Sequence, residues 1–206
     1  MARILLFLVF LLLPAALCRA GEAEDLDRAL VRLKSMTENI RTLSCSFRQS
    51  TDIPIFSEPE VSEGALRFRK PDALAWEYFS PMREGFVLNG RKGFRWEDDK
   101  SRRKPFVTGE DPLAGLVAGQ LLVWMDFDRA RIESRYEIVL ESESPLTLTL
   151  LPRGPELRSV LGSLQISFDG RGAARRVVLN ESRGGRTTLD FNEVILNRPI
   201  FDAEFD

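Results

Sequence analysis

Residues 64–78 read GALRFRKPDALAWEY, two short alternating runs on either side of a Lys-Pro-Asp turn. In the first run Leu66 and Phe68 fall on one face, and in the second run Leu74 and Trp76 do. Side chains that alternate with a period of two are typical of half-buried β-strands, and proline followed by aspartate favours a turn. This stretch therefore predicts two neighbouring strands of a meander.

The same alternation continues on both sides of this stretch. Towards the N-terminus Leu43, Cys45 and Phe47 share a face, and towards the C-terminus Asn89-Gly90 is a strong hairpin signal. Further strands are predicted at Tyr136 to Leu140, Leu146 to Leu151, Leu164 to Phe168, Val177 to Asn180 and Thr187 to Ile195. About ten or eleven short strands joined by short turns predict a mainly β (α+β) domain, built on one large curved antiparallel sheet or an open barrel.

Two stretches predict helices instead. From Glu22 to about Leu43, apolar residues recur every three or four positions with charges of both signs between them, which favours a helix packed on the sheet over one at a membrane surface. A second stretch, Leu113 to Met125, opens at Asp111 and Pro112, and two internal glycines weaken it. It is either a movable lid or an ordinary core helix, and the sequence leaves both open.

Residues 1–20 have the three-part layout of a secretory signal peptide. Arg3 is followed by an apolar run from Ile4 to Leu13 and then by a small-residue stretch that ends at Ala20. The apolar run is about half as long as the roughly 20 residues of a membrane-spanning helix. We expect cleavage after Ala20, with Ala23 as the alternative, which leaves one domain at residues 21–206.

Composition excludes several classes of function. The chain has no histidine and 2 cysteines, which removes Ser-His-Asp and Cys-His catalysis and zinc sites built on imidazole. Without the leader, Cys45 is the one thiol left, and we expect it to be a buried small hydrophobe. Losing Arg3 and Arg19 lowers the 29 basic residues to 27 against 31 acidic ones, and a net charge of −4 argues against nucleic-acid binding. We predict no enzyme activity, no metal site and no cofactor.

Aromatic residues are concentrated on adjacent predicted strands. They are Phe47, Phe68, Trp76, Tyr78, Phe86, Phe94 and Trp96, and the second helical stretch adds Leu121 and Trp124. A concave sheet covered by helices is either filled with side chains or encloses a ligand cavity, and at this point both remain open.

The chain resembles the periplasmic outer-membrane lipoprotein carriers, the LolA-like family. The resemblance rests on residues 43–49 (LSCSFRQ), on residues 64–78, on Pro81, and on Asn89-Gly90 before Phe94 and Trp96; residues 168–191 are similar but weaker. It implies a single curved antiparallel sheet forming an open half-barrel, covered by the N-terminal helix and the central helical segment, whose apolar cavity holds the acyl chains of a lipoprotein.

The resemblance also implies roles for individual residues. The aromatic wall of the family maps onto Leu74 and Trp76, and the basic residue before the proline, usually arginine in the family, is Lys70 here. Lys70 is the expected lid latch, and because lysine lacks the planar fork of arginine the latch is weaker or organised differently. We expect the cavity to be lined by Phe47, Leu66, Phe68, Leu74, Trp76, Tyr78, Phe86, Leu88, Phe94, Trp96, Leu121 and Trp124.

The function implied is a monomeric periplasmic carrier without catalysis. It would receive acylated lipoproteins from an inner-membrane lipoprotein-releasing ABC transporter and pass them to an outer-membrane acceptor lipoprotein. One alternative is a carrier for another lipid or a glycolipid. A second is an outer-membrane-anchored acceptor, which requires lipidation of Cys18 and is disfavoured because Leu17 precedes it. An enzyme built on carboxylates is a third.

Overall fold

Eleven strands form one antiparallel sheet in the computed structural model, which describes residues 15–108 and 128–205. The helices of this part are α1 (Ala15–Thr37), α2 (Arg129–Glu133), α3 (Pro155–Arg158) and a 3-10 helix (Asp202–Phe205). The strands are β1 (Thr42–Asp52), β2 (Glu60–Arg69), β3 (Ala73–Ser80), β4 (Glu84–Asn89), β5 (Lys92–Glu97), β6 (Lys104–Val107), β7 (Tyr136–Glu143), β8 (Leu146–Pro152), β9 (Leu161–Phe168), β10 (Ala174–Glu181) and β11 (Arg186–Leu196).

The first and last strands pair at the centre of the sheet. The strand order is β6-β5-β4-β3-β2-β1-β11-β10-β9-β8-β7, and Leu43 lies opposite Leu196 and Phe47 opposite Phe191 across the central pair. The edge strands of the described sheet, β6 and β7, lie at opposite ends of this order, so the sheet is curved but not closed. The predicted mainly β half-barrel of ten or eleven strands is confirmed.

The sheet has an inner face, which we define by the side chains of Leu43, Cys45 and Phe47 in β1. These side chains belong to the main apolar core, and Leu30 and Leu33 of α1 pack into the same core. The predicted packing of the N-terminal helix on the sheet is therefore confirmed. The helix ends at Thr37 and not near Leu43, because Leu43 is held in β1 by pairing with Phe68 and Leu196.

The opposite, outer face of β3–β5 carries a second apolar cluster. Its members are Ala73, Ala75, Val87, Trp96, Ile200 and Phe205, with Phe94 packed against them. Ile200 and Phe205 come from the C-terminal segment, residues 198–205, which lies across this face after β11 ends. Both faces of the sheet are therefore covered in this region, which explains why Ala73 and Ala75 of β3 are buried.

Two predictions fall on residues outside the described ranges. The central helix from Leu113 to Met125 is one, and most of the leader, residues 1–14, is the other. Among the described helices, none combines the length and apolar composition that crossing a membrane requires.

Candidate ligand-binding site

An apolar cavity of about 700 Å³, which includes space open to solvent, lies on the inner face between the end of α1 and the central strands. The cavity is lined by Thr37, Ile40, Leu43, Cys45, Leu66, Ile166, Phe168, Gly172, Ala173, Ala174, Val177, Leu189 and Phe191. These residues come from both halves of the sheet, so the β1–β11 pairing at its centre builds the cavity.

The polar side chains of the cavity wall are uncharged and offer few hydrogen-bond donors to a ligand. Burial raises the pKa of the Cys45 thiol to about 12, so the thiol stays protonated at neutral pH and acts as a small apolar group. The prediction that Cys45 is buried is confirmed. The Thr37 hydroxyl donates to the Leu33 carbonyl oxygen at 3.0 Å, which uses its proton within α1. The wall is therefore suited to apolar ligand surface.

An aromatic cluster continues the cavity along the inner face. The ring centre of Phe47 lies 4.5 Å from that of Trp76 and 5.3 Å from that of Tyr78. Trp76 and Phe191 meet edge to face with their ring centres 6.4 Å apart. Because Phe191 also lines the cavity, the cavity and the aromatic cluster share a wall.

Eight of the twelve residues predicted to line the cavity lie together in the inner-face core. They are Phe47, Leu66, Phe68, Leu74, Trp76, Tyr78, Phe86 and Leu88. Leu66 borders the cavity itself. Contact of these residues with a ligand stays a prediction. Leu121 and Trp124 lie outside the described residues.

Phe94 and Trp96 were also predicted to line the cavity, but they lie on the other face of the sheet from Phe86 and Leu88. Both lie in the outer-face cluster with the C-terminal segment. The cause is the two-residue connection between β4 and β5, which pairs Asn89 with Lys92 and thereby places Phe94 opposite Val87. Residues paired across antiparallel strands share a face, so Phe94 and Trp96 point away from Phe86 and Leu88.

Lys70 follows the last residue of β2, at one end of the sheet. Its backbone N–H donates to the Arg41 carbonyl oxygen at 2.8 Å, which ties the β2–β3 turn to the start of β1. Lys70 was expected to latch the helices that cover the cavity, and one of these, the central helical segment, lies outside the described residues. Its role as a latch stays a prediction.

Sequence reasoning missed the second half of the cavity wall. Ile166, Phe168, Val177, Leu189 and Phe191 come from β9–β11. The alternation of Leu164, Ile166 and Phe168 was a signal for one buried face, but no local pattern indicated that this face opposes that of β1 and β2.

Asp99, in the turn between β5 and β6, has a local role. The carboxylate of Asp99 accepts hydrogen bonds from the backbone N–H of Ser101 at 2.8 Å and from its hydroxyl at 2.7 Å, and these bonds lower the pKa of Asp99. Hydrogen bonds from an aspartate side chain to a residue two positions further on are typical of turns. Across residues 15–108 and 128–205, no group of three or more cysteine, aspartate or glutamate side chains is arranged to hold a metal ion.

Comparison with known proteins gives the family of the chain. The family model described as outer membrane lipoprotein carrier protein LolA matches residues 38–206. The outer-membrane lipoprotein carrier protein of Pseudomonas fluorescens (strain Pf0-1) is 24% identical over 202 residues, covering 96% of this chain and 93% of the relative. That of Pseudomonas putida (strain W619) is 24% identical over 209 residues, covering 100% and 94%.

Solved structures include a LolA superfamily protein from Nitrosomonas europaea, with a TM-score of 0.47 and 13% identity over 87% of this chain and 96% of the other. The match of the family model extends from the end of α1 through the whole sheet to the C-terminal segment. The chain belongs to the LolA family of outer membrane lipoprotein carrier proteins.

Proposed function

We propose that this protein is a periplasmic carrier that shields the acyl chains of lipoproteins in its inner-face cavity and moves them from the inner membrane to the outer membrane. The observation that carries the proposal is the inner-face cavity, which is walled by apolar side chains and a protonated thiol. Membership of the LolA family and the names of the Pseudomonas relatives support it.

The physical need for such a cavity follows from the cost of hydrating acyl chains. Each methylene group exposed to water costs about 0.8 kcal/mol, so a chain of about 15 methylenes costs on the order of 10 kcal/mol. A lipoprotein with several chains therefore does not leave a membrane unaided at a useful rate. An apolar wall that replaces the membrane interior removes most of that cost.

Carriage in this proposal needs no bond to be made or broken. The thiol on the cavity wall stays protonated, and the remaining wall residues are apolar apart from Thr37. Binding and release are then governed by opening and closing of the cavity. We propose that the protein works without a cofactor and as a monomer.

The proposed route implies two partners for the protein, one at each membrane. An inner-membrane lipoprotein-releasing ABC transporter would load the cavity, and an outer-membrane acceptor lipoprotein would empty it. In this route the first 20 residues export the chain and the domain at residues 21–206 acts in the periplasm.

A release assay tests the proposal. The purified protein is incubated with spheroplasts or liposomes that carry a labelled triacylated lipoprotein, and the soluble fraction is examined for a complex. Ala174→Phe places a ring in the cavity, whereas Ala130→Phe places one on the exposed side of α2. We expect the wild type and Ala130→Phe to form the complex and Ala174→Phe to lose it.

The proposal fails if the wild type releases no acylated cargo, or if Ala174→Phe releases as much as Ala130→Phe. Mass spectrometry of the ligand that co-purifies with the protein separates a lipoprotein carrier from a carrier of another lipid or a glycolipid. The intact mass of the N-terminus tests the anchored acceptor, because lipidation of Cys18 adds the mass of its acyl groups.

A further inference from the structure

We propose that the segment joining β1 to β2, residues 52–60, is a docking loop for a partner protein that presents an apolar pocket bordered by lysine or arginine side chains. The inference rests on the proposed function, because a carrier has to contact the protein that loads or empties it. It assigns that contact to a surface away from the cavity.

Two adjacent large apolar side chains of the docking loop face water. Ile55 is 84% exposed and Phe56 is 63% exposed. Phe79 and Met82, where β3 passes into β4, are also exposed and lie at the same end of the sheet. Single exposed apolar residues are ordinary, whereas groups of them mark interaction sites. This end of the sheet is therefore a candidate interaction surface.

The backbone of the docking loop holds its apolar tip in place. The N–H of Phe56 donates to the Ile53 carbonyl oxygen at 2.9 Å, which closes a β-turn over residues 53–56. Pro54 occupies the second position of that turn, where its fixed φ angle is favoured. A tip that is already formed loses little conformational freedom when a partner binds it.

The charges of the docking loop indicate the chemistry of its partner. Asp52, Glu58 and Glu60 are exposed, and none of them forms an ion pair within residues 15–108 and 128–205. Residues 52–60 contain no lysine or arginine. Segments that bind membrane surfaces are instead rich in lysine and arginine. An apolar tip among unpaired carboxylates therefore fits a protein pocket with a basic border, and not a lipid surface.

The docking loop is remote from the end of the cavity beside α1. It follows the last residue of β1, whereas Thr37 and Ile40, which border the cavity, precede the first. A strand of 11 residues spans roughly 30–35 Å. A partner on the loop therefore leaves that end of the cavity uncovered.

The small size of the docking loop suits a short-lived contact. Stable protein interfaces bury about 800 Å² on each partner, which is more than a few side chains provide. A carrier has to leave its loading partner together with its cargo. A weak contact that opposite charges guide meets that need.

A release assay with two sources of labelled lipoprotein tests the inference. The first source is spheroplasts of the organism that encodes the protein, and the second is detergent micelles, which contain no partner protein. The test variant combines Ile55→Ser with Phe56→Ser. The control is Phe201→Ser, because Phe201 is 70% exposed in the C-terminal segment.

We expect the double variant to release lipoprotein from spheroplasts about tenfold or more slowly than the wild type, since burying one such side chain is worth about tenfold in affinity. Its uptake from micelles should be normal. Phe201→Ser should match the wild type with both sources. The melting curves should also match, because the changed side chains are exposed.

A charge variant and a photocrosslink test the chemistry of the partner. Asp52→Asn, Glu58→Gln and Glu60→Gln together should slow release from spheroplasts by about three- to tenfold, as should salt raised to about 0.5 M. With p-benzoylphenylalanine at position 56, we expect an adduct on spheroplasts with a membrane protein, at a peptide that lies beside lysine or arginine. An adduct with phospholipid, or with a second copy of this chain, would overturn the inference.

The outcomes separate the two proposals. If the double variant releases lipoprotein from spheroplasts as fast as Phe201→Ser, the docking loop is refuted while uptake from micelles still supports the carrier function. Equal losses with both sources would also refute docking, because the loop would then act on the cavity or the fold. If the wild type takes up lipoprotein from neither source, the carrier function fails and the inference fails with it.

Discussion

The guanidinium carbon of Arg69 lies 4.9 Å from the centre of the Phe205 ring, and Arg69 Nη1 donates to the Ile200 carbonyl oxygen at 2.9 Å. Arg69 is the last residue of β2, one position before Lys70. A single side chain of β2 thereby fastens the C-terminal segment to the outer face of the sheet, where the segment covers β3–β5. The C-terminal segment is part of the fold and not an appendage.

Replacing Arg69 should loosen the C-terminal segment. We expect Arg69→Ala to lower the free energy of unfolding by about 1–3 kcal/mol, because it removes a cation–π contact and a hydrogen bond from a charged donor. Arg176→Ala is the control, since Arg176 makes an exposed ion pair with Asp190 at 2.6 Å and should cost less than about 1 kcal/mol. Urea denaturation measures both, and equal losses would contradict the role of Arg69.

A side chain at position 64 should disturb the aromatic cluster. A Cβ atom on Gly64 would overlap the Glu77 carbonyl oxygen and the Phe47 ring, which covers Gly64 from the neighbouring strand. We expect Gly64→Ala to destabilise the protein by about 1–3 kcal/mol through overpacking. Gly170→Ala is the matched control, because a Cβ atom there meets nothing within 4 Å. Thermal denaturation that shifts Tm equally for the two variants would refute the close packing.

The buried thiol should make stability fall at alkaline pH. The pKa of Cys45 is about 12 in the folded state, whereas an unfolded thiol titrates near about 8.5. Between these values the folded protein holds a proton that the unfolded chain releases, so the contribution of the thiol is complete below about pH 8.5 and is lost as the pH rises. We expect a slope approaching about −1.4 kcal/mol per pH unit from this group.

The measurement is the free energy of unfolding from pH 8 to pH 11 in the wild type and in Cys45→Ala. The variant lacks the thiol, so its stability should decline less steeply over this range, whatever its stability at pH 8. Identical slopes would show that the thiol titrates normally in the folded protein.

Reversing the charge of Lys70 should affect cargo more than folding. We expect Lys70→Glu to impair the loading or release of lipoprotein more than it lowers Tm, because the proposed latch acts on the opening of the cavity and not on the pairing of the sheet. Lys70→Arg restores the residue usual in the family and should retain transfer. A liposome transfer assay is run beside thermal melting. Parallel loss of transfer and thermal stability in Lys70→Glu would contradict the latch.

Much of the sheet could be predicted from local sequence. Period-two alternation in residues 64–78 placed Leu66, Leu74 and Trp76 on one face, because burial of one face imposes that pattern on each strand separately. The face on which Phe94 lies could also have been predicted, because a hairpin loop with an even number of residues places Phe94 opposite Val87. The error there came from grouping residues by type and not by register.

Other features have no local signal. The pairing of Leu43 with Leu196 joins residues at opposite ends of the chain, and nothing in either strand specifies the other. The cavity wall from Ile166 to Phe191 depends on that pairing. Ile200 and Phe205 occupy a short segment without periodicity, so their burial against Trp96 followed only from the assembled sheet.

The central position of β1 and β11 has a consequence for how the chain matures. Translation delivers β1 first and β11 last among the described strands, so the middle of the sheet is the final part that can be assembled. Until β11 is in place, the edges of β1 and β10 that it will cover remain unpaired. An unpaired strand edge can form hydrogen bonds with a strand of another chain. Contacts of such long sequence separation also form slowly. The newly made chain is therefore most vulnerable to aggregation in the interval before β11 is available.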